Sequence, residues 1–317
     1  MIMTKKNSLL VLMYHYVRNI KKSHHPNIKG VELDLFKLQL DYIKKKFNII
    51  SAEDLINFFY KKKELPENSC LLTFDDGYKD HIDFVLPELL KRKMKGIFFP
   101  QAKSIVEREL SDVNAIHFIL DRSLNDKLLL NKLFEMCLES SITQKTINLW
   151  IKKNAIQKYK YDSFKRVLIK RMLQYLIPDQ LRKNIISKLF KEIVGQNSKD
   201  FANDLYLTID DLKRLLNSGM QIGSHGYEHS YLNKLSYADQ KKDLNNSIRF
   251  LDFIGISTNN WVMCYPYGAY NKNTVNILKK SKCALAFIDS GGRTNLDPNK
   301  RFELTRHDIK DFTFKKE

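Results

Sequence analysis

Two adjacent carboxylates, Asp75 and Asp76, end the apolar segment “LLTFDDG”, which covers residues 71–77. Side chains of a regular strand alternate between its two faces, so two neighbouring acids would point in opposite directions. A pair of acids after a strand is often ordinary turn chemistry. The pair alone is therefore a weak signal, and its meaning depends on what else lies at the ends of the strands.

A pair of histidines provides the second signal. The segment “SHGYEHS” places His225 and His229 four residues apart, a spacing that corresponds to one helical turn and one helix face. With a carboxylate from elsewhere, two imidazoles form a metal site whose remaining positions can hold water and substrate. Taken alone, the pair is equally typical of surface or helix-cap histidines. A third polar segment, “YPYG” at residues 265–268, also follows an apolar run.

The elements that position these residues alternate between strand and helix patterns. Apolar runs indicate buried strands, and helical spacing of apolar residues indicates helices between them. The first half contains predicted strands at 8–14, 47–51, 70–74 and 95–100 and predicted helices at 31–46, 52–63 and 81–93, with Ser51 as an N-cap. This alternation is typical of parallel β/α units, and in a β/α barrel the site lies on the loops after the strands.

Residues from about 101 to 205 interrupt that pattern. Four amphipathic segments predict a helical insertion here, and little in it indicates a strand. The β/α pattern then returns, with predicted strands at 220–226, 260–268, 283–289 and 302–309 and predicted helices at 207–219, 236–255 and 271–281. We therefore expect a single α/β domain over residues 1–317, interrupted by the insertion at about 101–205.

The three motifs, taken in order, resemble a known family. “LLTFDDGY”, “IGSHGYEHSYL” and “YPYG” are similar to the first three motifs of the polysaccharide deacetylases, the NodB-like carbohydrate esterases. The opening “LMYHYV” and the closing “FELTRHDI” resemble the branch with an N-terminal Tyr-His motif, which includes the poly-N-acetylglucosamine deacetylases. The resemblance covers about residues 8–100 and 205–310. It implies an irregular β/α barrel of about seven strands and hydrolysis of an N-acetyl amide on a sugar.

The resemblance also assigns roles by position. It implies that Asp76, His225 and His229 bind a metal and that Asp75 is the catalytic base. An amide is a poor electrophile, so a divalent ion is needed to polarise it and to acidify a water, whose proton the free carboxylate takes. The backbone N–H of Tyr267 corresponds to the family's oxyanion donor. Zinc is the expected ion, and cobalt or nickel would also fit.

Two departures from the common family pattern concern the acid and an arginine. Many members carry the acid as a histidine in a late Leu-x-His motif, which His307 fits poorly. In the Tyr-His branch the N-terminal histidine has this role, which points to His15. Cys264 stands where many members have an arginine that pairs with the base, and we expect Arg306 to orient Asp75 instead.

The third motif allows two interpretations. Tyr265, Pro266 and Tyr267 could form a wall of the sugar pocket, or the Pro-Tyr-Gly segment could simply form a turn. The insertion is also open to several interpretations, since its mixture of lysines and apolar residues suits a lid, an oligomer surface or a membrane-facing pair of helices.

Composition and charge restrict the classes of partner that we expect. The formal net charge is +18, which suits either a solvated basic surface or attraction to acidic glycans or anionic lipids. No nucleic-acid-binding motif accompanies it. Four distant cysteines, with no C-x-x-C, suggest neither a zinc ribbon nor a redox pair. The first residues read as a strand rather than a signal peptide, and no segment is apolar enough to span a membrane, so we expect a cytoplasmic protein with peripheral membrane association as an option.

The sequence leaves rival functions open. Two histidines and a carboxylate also occur in ferrous oxygenases, but those use another fold and motif order. A related barrel hydrolase could act on a different amide. A non-catalytic glycan-binding relative would keep the fold and lack the acid. The main expectation is a metal-dependent carbohydrate N-deacetylase that acts on a polysaccharide or its precursor.

Overall fold

The computed structural model describes residues 8–155 and 162–313. Its strands are β1 Ser8–Tyr14, β2 Val17–Arg18, β3 Val31–Glu32, β4 Asn48–Ile49, β5 Ser69–Asp76, β6 Ile97–Pro100, β7 Gln221–Ile222, β8 Trp261–Cys264, β9 Cys283–Ile288, β10 Thr294–Asn295, β11 Leu304–Thr305 and β12 His307–Asp308. Its helices are α1 Leu33–Lys46, α2 Ala52–Lys61, α3 Leu86–Arg92, α4 Ala102–Val106, α5 Asp112–Arg122, α6 Asp126–Glu139, α7 Gln144–Ala155, α8 Phe164–Arg171, α9 Asp179–Leu189, α10 Ser198–Leu205, α11 Ile209–Asn217, α12 Tyr237–Phe253 and α13 Lys272–Lys280.

The strands form one large and two small sheets. The large sheet has the order β10-β1-β5-β6-β7, with β12 also paired to β1 and β4 to β5. A second sheet has the order β11-β9-β8, and β2 pairs with β3. Apart from the antiparallel pairing of β1 with β10, the strand pairings in these sheets are parallel. The predicted α/β class with a parallel sheet is therefore confirmed.

The parallel pairings link seven strand segments, in the order β1, β5, β6, β7, β8, β9 and the segment 304–308. A single bridge between Ser224 and Met263 links the end of β7 to β8. The segment 304–308 pairs with β9 through β11 and with β1 through β12. These links lack the continuous ladder of a regular closed barrel, and they give the irregular arrangement that the sequence led us to expect.

Helix caps explain several of the element boundaries. Ser51 caps α2 in a reciprocal capping box with Asp54, as the sequence predicts. Thr208 and Asp211 form the same arrangement at α11. Each pair satisfies backbone N–H groups that the first helical turn leaves without partners. These caps fix where the helices begin between the strands.

The described residues fall into two compact units. The β/α unit contains residues up to 20, residues 30–109 and residues from 203 onwards. The helical unit contains residues 110–202 together with residues 21–29, a segment whose place in that unit the sequence did not indicate. Within the helical unit the ring of His25 meets Phe118 and Phe201, and its Nδ1 lies 2.8 Å from Asp121. The single domain over residues 1–317 stays a prediction.

Some elements differ from the sequence-based expectation. The predicted strand at 220–226 is only two residues long, and the last predicted strand is divided into β11 and β12. The helix α7 was not predicted. In the described part of the chain no helix combines the length and the apolar character needed to cross a bilayer.

Candidate active site

The paired aspartates lie at the end of β5, where the backbone changes direction. Asp75 pairs with Phe99 and Asp76 with Pro100 of β6. Asp76 has a φ of 72°, which is outside the extended region, so the alternation of a regular strand does not apply to its side chain. Gly77 follows with a φ of +72°, and a Cβ there would lie 2.8 Å from the Pro100 Cβ. The local backbone therefore requires glycine at this turn.

The two histidines lie on a loop, and the expectation of one helical turn between them is wrong. Residues 225–231 have no helical or strand structure. Gly226 and His229 have φ angles of +73° and +52°, which interrupt any helical path. The loop nevertheless brings the two imidazoles together, with their Nε2 atoms 3.2 Å apart.

Asp76 completes a three-residue cluster with these imidazoles. Its Oδ1 lies 3.6 Å from the His225 Nε2 and 3.5 Å from the His229 Nε2. Ligands at 2.0–2.1 Å around a tetrahedral ion are separated by about 3.3–3.4 Å, so these three spacings fit one small divalent ion. All three side chains are buried. The residues present therefore suit the metal that the resemblance implies.

The protonation of the histidines favours the same role. The Nδ1 of His225 donates a hydrogen bond to the backbone carbonyl of Cys264 at 3.0 Å, which orients the ring with Nε2 towards the other two ligand atoms. Burial lowers the pKa of His229 to about 3, with the neighbouring His225 adding to the effect. His229 is therefore neutral near pH 7, the form that binds metals.

Two further side chains hold the Asp76 carboxylate, and the sequence analysis did not single them out. The hydroxyl of Tyr78 donates to Oδ2, and the side-chain amide of Gln101 donates to Oδ1 at 2.8 Å. Gln101 directly follows β6, so the rule that located the other polar residues after strands would also have found it. Nothing in the sequence indicates that Tyr78 bonds back to a residue two positions earlier.

Asp75 is held by an arginine from the far end of the chain. Two nitrogens of Arg306 each lie 2.7 Å from one Asp75 oxygen, and both side chains are buried. Burial alone would raise the pKa of the Asp75 carboxyl, but the Arg306 guanidinium and the nearby imidazoles outweigh it, so the pKa lies below its ordinary value. The Cys264 thiol lies 3.7 Å from the same carboxylate. Asp75 is thus an oriented, ionised carboxylate.

His15 faces this carboxylate from the more exposed side. Its Nε2 is 3.9 Å from the Asp75 Oδ2, and 35% of its side chain is exposed. The buried His81 donates from Nε2 to the His15 backbone carbonyl at 3.1 Å. Nothing in the sequence indicates this contact. Burial raises the pKa of Asp289, which follows β9.

The alternative acid, His307, has different surroundings. Its Nδ1 accepts a hydrogen bond from the Gly292 backbone N–H at 3.1 Å, and its ring packs edge-on against Phe312. Among the described residues no contact joins its side chain to Asp75 or Asp76. The structure brings His15, and not His307, to the predicted base.

The third motif divides between core and surface. Tyr265 is buried, and its hydroxyl donates to the Phe302 carbonyl at 3.1 Å, which is the contact of a core residue. Tyr267 is partly exposed, packs its ring against His229 and stacks on Tyr231 with ring centroids 3.9 Å apart. Pro266, which lies between these two tyrosines in the chain, is also buried. Of the three residues of this motif, Tyr267 is therefore the one with an exposed ring, and this ring lies beside the Asp76, His225 and His229 cluster.

The loop that carries the histidines is attached to α12. The buried carboxylate of Asp243 accepts hydrogen bonds from the backbone N–H groups of Tyr227 and Glu228, at 3.0 and 2.8 Å. The sequence could not identify this residue, because a buried acid and an exposed acid look alike in an amphipathic helix. Its two bonds fix the path of the loop between His225 and His229.

Comparison with known families gives a match over part of the chain. Residues 186–286 match the model of a family described as polysaccharide deacetylase, a range that includes the second and third motifs and begins beyond the paired aspartates. The match covers 101 of the 317 residues. No curated protein sequence matches the chain significantly. The family match supports carbohydrate deacetylation as the activity.

Solved structures of deacetylases have a similar fold. The Streptococcus pyogenes deacetylase PplD in complex with acetate is 17% identical, with a TM-score of 0.60 over 96% of this chain and 93% of that one. IcaB from Ammonifex degensii is 16% identical, with a TM-score of 0.57 over 96% and 92%. A de-N-acetylase from Aggregatibacter actinomycetemcomitans is 15% identical, with a TM-score of 0.56 over 97% of each chain. At these identities the likeness concerns the fold of the chain alone.

Proposed function

We propose that the protein is a metal-dependent N-deacetylase that removes an acetyl group from an N-acetylated sugar of a polysaccharide or of its precursor. One observation carries the proposal. The buried ligand atoms of Asp76, His225 and His229 all lie within 4.8 Å of one another, beside the oriented carboxylate of Asp75. The ligand set suits zinc, and cobalt or nickel would also fit it.

The chain's own residues divide the reaction between them. A divalent ion at the three ligands supplies Lewis acidity towards the acetyl carbonyl and lowers the pKa of water. Asp75 takes the proton of the attacking water, and Arg306 holds it ionised and in position. His15 gives a proton to the departing amine from its more exposed side, and the Tyr267 backbone N–H faces the developing oxyanion.

Acetate release tests the proposal. The purified protein is incubated with N-acetylglucosamine oligomers or with a lipid-linked N-acetyl sugar, with zinc or cobalt added. We expect acetate from the parent protein and a loss of about 10³-fold or more in Asp75→Asn, because the carboxamide cannot accept the proton. The exposed Asp83 provides the matched control, and Asp83→Asn should keep full activity.

The outcome also separates the rival functions. A protein that binds these sugars and releases no acetate would be a glycan-binding relative. Release of a carboxylic acid from another amide, and from no N-acetyl sugar, would indicate a different hydrolase. Either result would overturn the proposal.

A further inference from the structure

The positive charge of the chain is concentrated in the helical unit. Residues 110–202 contain 17 Lys and Arg against nine Asp and Glu, and residues 21–29 add three lysines. This part, about a third of the sequence, therefore carries +11 of the formal net charge of +18. A charge asymmetry of this size within one chain points to an anionic partner.

The turn between α5 and α6 combines that charge with exposed apolar side chains. Leu124 is 91% exposed and Leu128 is 66% exposed. Leu124 lies just before the helix cap Asn125, where an apolar residue usually packs against the fourth residue of the helix. That fourth residue, Leu129, is only 4% exposed, so the core covers it while Leu124 stays in solvent. Folding of the helical unit does not account for a leucine held in this position.

Basic residues surround the two leucines. Arg122 ends α5, and Lys127 lies in the first turn of α6; both are exposed. The acid within the turn, Asp126, is bound by Arg166 at 2.8 Å, which attaches the start of α8 here and brings the exposed Lys165 to the same region. The positive end of the α6 dipole adds to their potential.

The other acids of α6, beyond the Arg166-bound Asp126, lie away from this turn. Glu135 and Glu139 are exposed on the same helix, but Glu135 is seven residues beyond Leu128. At 1.5 Å per residue this corresponds to about 10 Å along the helix axis, roughly one Debye length at 0.1 M salt. Arg166 compensates Asp126, and Lys29 and Lys170 compensate the nearby Asp162, so the turn is cationic and apolar at its tip. The exposed acids of α6 begin two turns further along.

We propose that this leucine-tipped turn, residues 122–128, docks on the surface of a membrane that contains anionic lipids. Exposed aliphatic side chains gain free energy when they enter the boundary between headgroups and acyl chains, and adjacent lysines and arginines are attracted by anionic headgroups. A soluble polyanion, such as a nucleic acid or an acidic glycan, would use the cations but would leave both leucines in water. The combination therefore favours a lipid surface, and the proposal stands apart from the chemistry of the active site.

Vesicle flotation with the full chain tests this docking surface. We expect the parent protein to float with phosphatidylcholine vesicles that contain phosphatidylglycerol, to bind pure phosphatidylcholine vesicles much less, and to dissociate at high salt. The double variant Leu124→Ser/Leu128→Ser should lower the partition coefficient by about tenfold or more, because two apolar contacts are lost. Lys127→Gln/Lys165→Gln should weaken binding to anionic vesicles only. The matched control is Phe253→Ser, which removes an equally exposed apolar side chain, 69% exposed, at the end of α12.

Three results would overturn the proposal. The parent protein could fail to bind anionic vesicles, the double leucine variant could bind them as well as Phe253→Ser does, or heparin could bind the parent and the leucine variant equally and displace the vesicles. Circular dichroism melting of the leucine variant checks that its helices are intact. Acetate release from a soluble sugar is measured in parallel, so that failure of the deacetylase proposal and failure of the docking proposal give different patterns.

Discussion

The ion pair between Arg306 and Asp75 joins the last strand segment to the end of β5. The guanidinium contacts both carboxylate oxygens, so it fixes the rotation of the carboxylate as well as its charge. Both side chains are almost completely buried, and removal of one partner would leave the other charge uncompensated away from water. The arginine therefore acts as a positioning residue for the proposed base.

Arg306→Ala should lower turnover by about 10²-fold or more, because a displaced base loses its alignment with the water. Arg306→Lys should fall between the parent and Arg306→Ala, since an ammonium keeps the charge but not the two-pronged geometry. Turnover and bound metal are measured on the same samples, with metal expected to stay near stoichiometric. Loss of metal in proportion to activity would contradict the positioning role, and the lysine variant keeps the test valid if Arg306→Ala does not fold.

Tyr78→Phe should weaken zinc binding by about 10- to 100-fold, because the hydroxyl holds the Oδ2 of the proposed metal ligand Asp76. Competition with a chromophoric chelator measures the affinity. Tyr227→Phe is the matched control, since that hydroxyl bonds to Glu107 and does not contact Asp76. Equal affinities for the parent and Tyr78→Phe would show that the bond does not orient the carboxylate.

At the scale of elements, the loop that carries His225 and His229 depends on its attachment to α12. The loop has no regular hydrogen bonding of its own between residues 225 and 231. Asp243 accepts two hydrogen bonds from the partly exposed backbone of the loop, and the net contribution of such a bond is about 0.5–1.5 kcal/mol.

Asp243→Ala should therefore lower the free energy of unfolding by about 1–3 kcal/mol, for the two lost hydrogen bonds, and should weaken metal binding. Asp252→Asn, an exposed acid near the end of the same helix, serves as the control and should change neither quantity. Chemical denaturation gives the free energy of unfolding, and the chelator competition gives the affinity. If Asp243→Ala lost stability but bound zinc as the parent does, the loop would not need this anchor for its function.

The elements also show what the sequence could predict. The long apolar runs of β1 and β5 were recognisable because strands of a parallel sheet are buried on both faces. The ends of parallel strands meet at one edge, so Asp76 and His225 could be expected to lie together although about 150 residues separate them. The helical spacing of His225 and His229 misled the prediction, because Gly226 turns the backbone out of a helix. The bonds made by Tyr78 and Asp243 depend on packing between remote segments, and local pattern does not encode it.

At the scale of the whole molecule, the proposed metal connects the end of β5 with the loop after β7. A ligand that binds only the folded state stabilises it by an amount that grows with the logarithm of its concentration, about 2.7 kcal/mol at a hundredfold excess over Kd. The β/α unit should therefore melt at a higher temperature with zinc than without it.

Calorimetry of the full chain before and after treatment with EDTA measures this effect. We expect a lower melting temperature after EDTA, restored by zinc, and no response in His225→Ala. His24→Ala is the control, since it removes an exposed imidazole and should keep the response. If the two units melt separately, only the transition of the β/α unit should move. An identical response in the parent and in His225→Ala would place the stabilising zinc elsewhere.

Three residues in or beside the proposed metal site have a left-handed backbone conformation, which L-residues adopt at a cost of about 1–2 kcal/mol each. They are Asp76, His229 and Tyr267, with φ angles of 72°, 52° and 58°. In a mutant library selected for heat resistance alone, glycine should be enriched at these positions, because it removes the conformational cost. Glycine at position 76 or 229 would remove a proposed metal ligand, and glycine at position 267 would remove the exposed ring. A screen for a more heat-stable active variant must therefore keep these three positions unchanged and vary other residues.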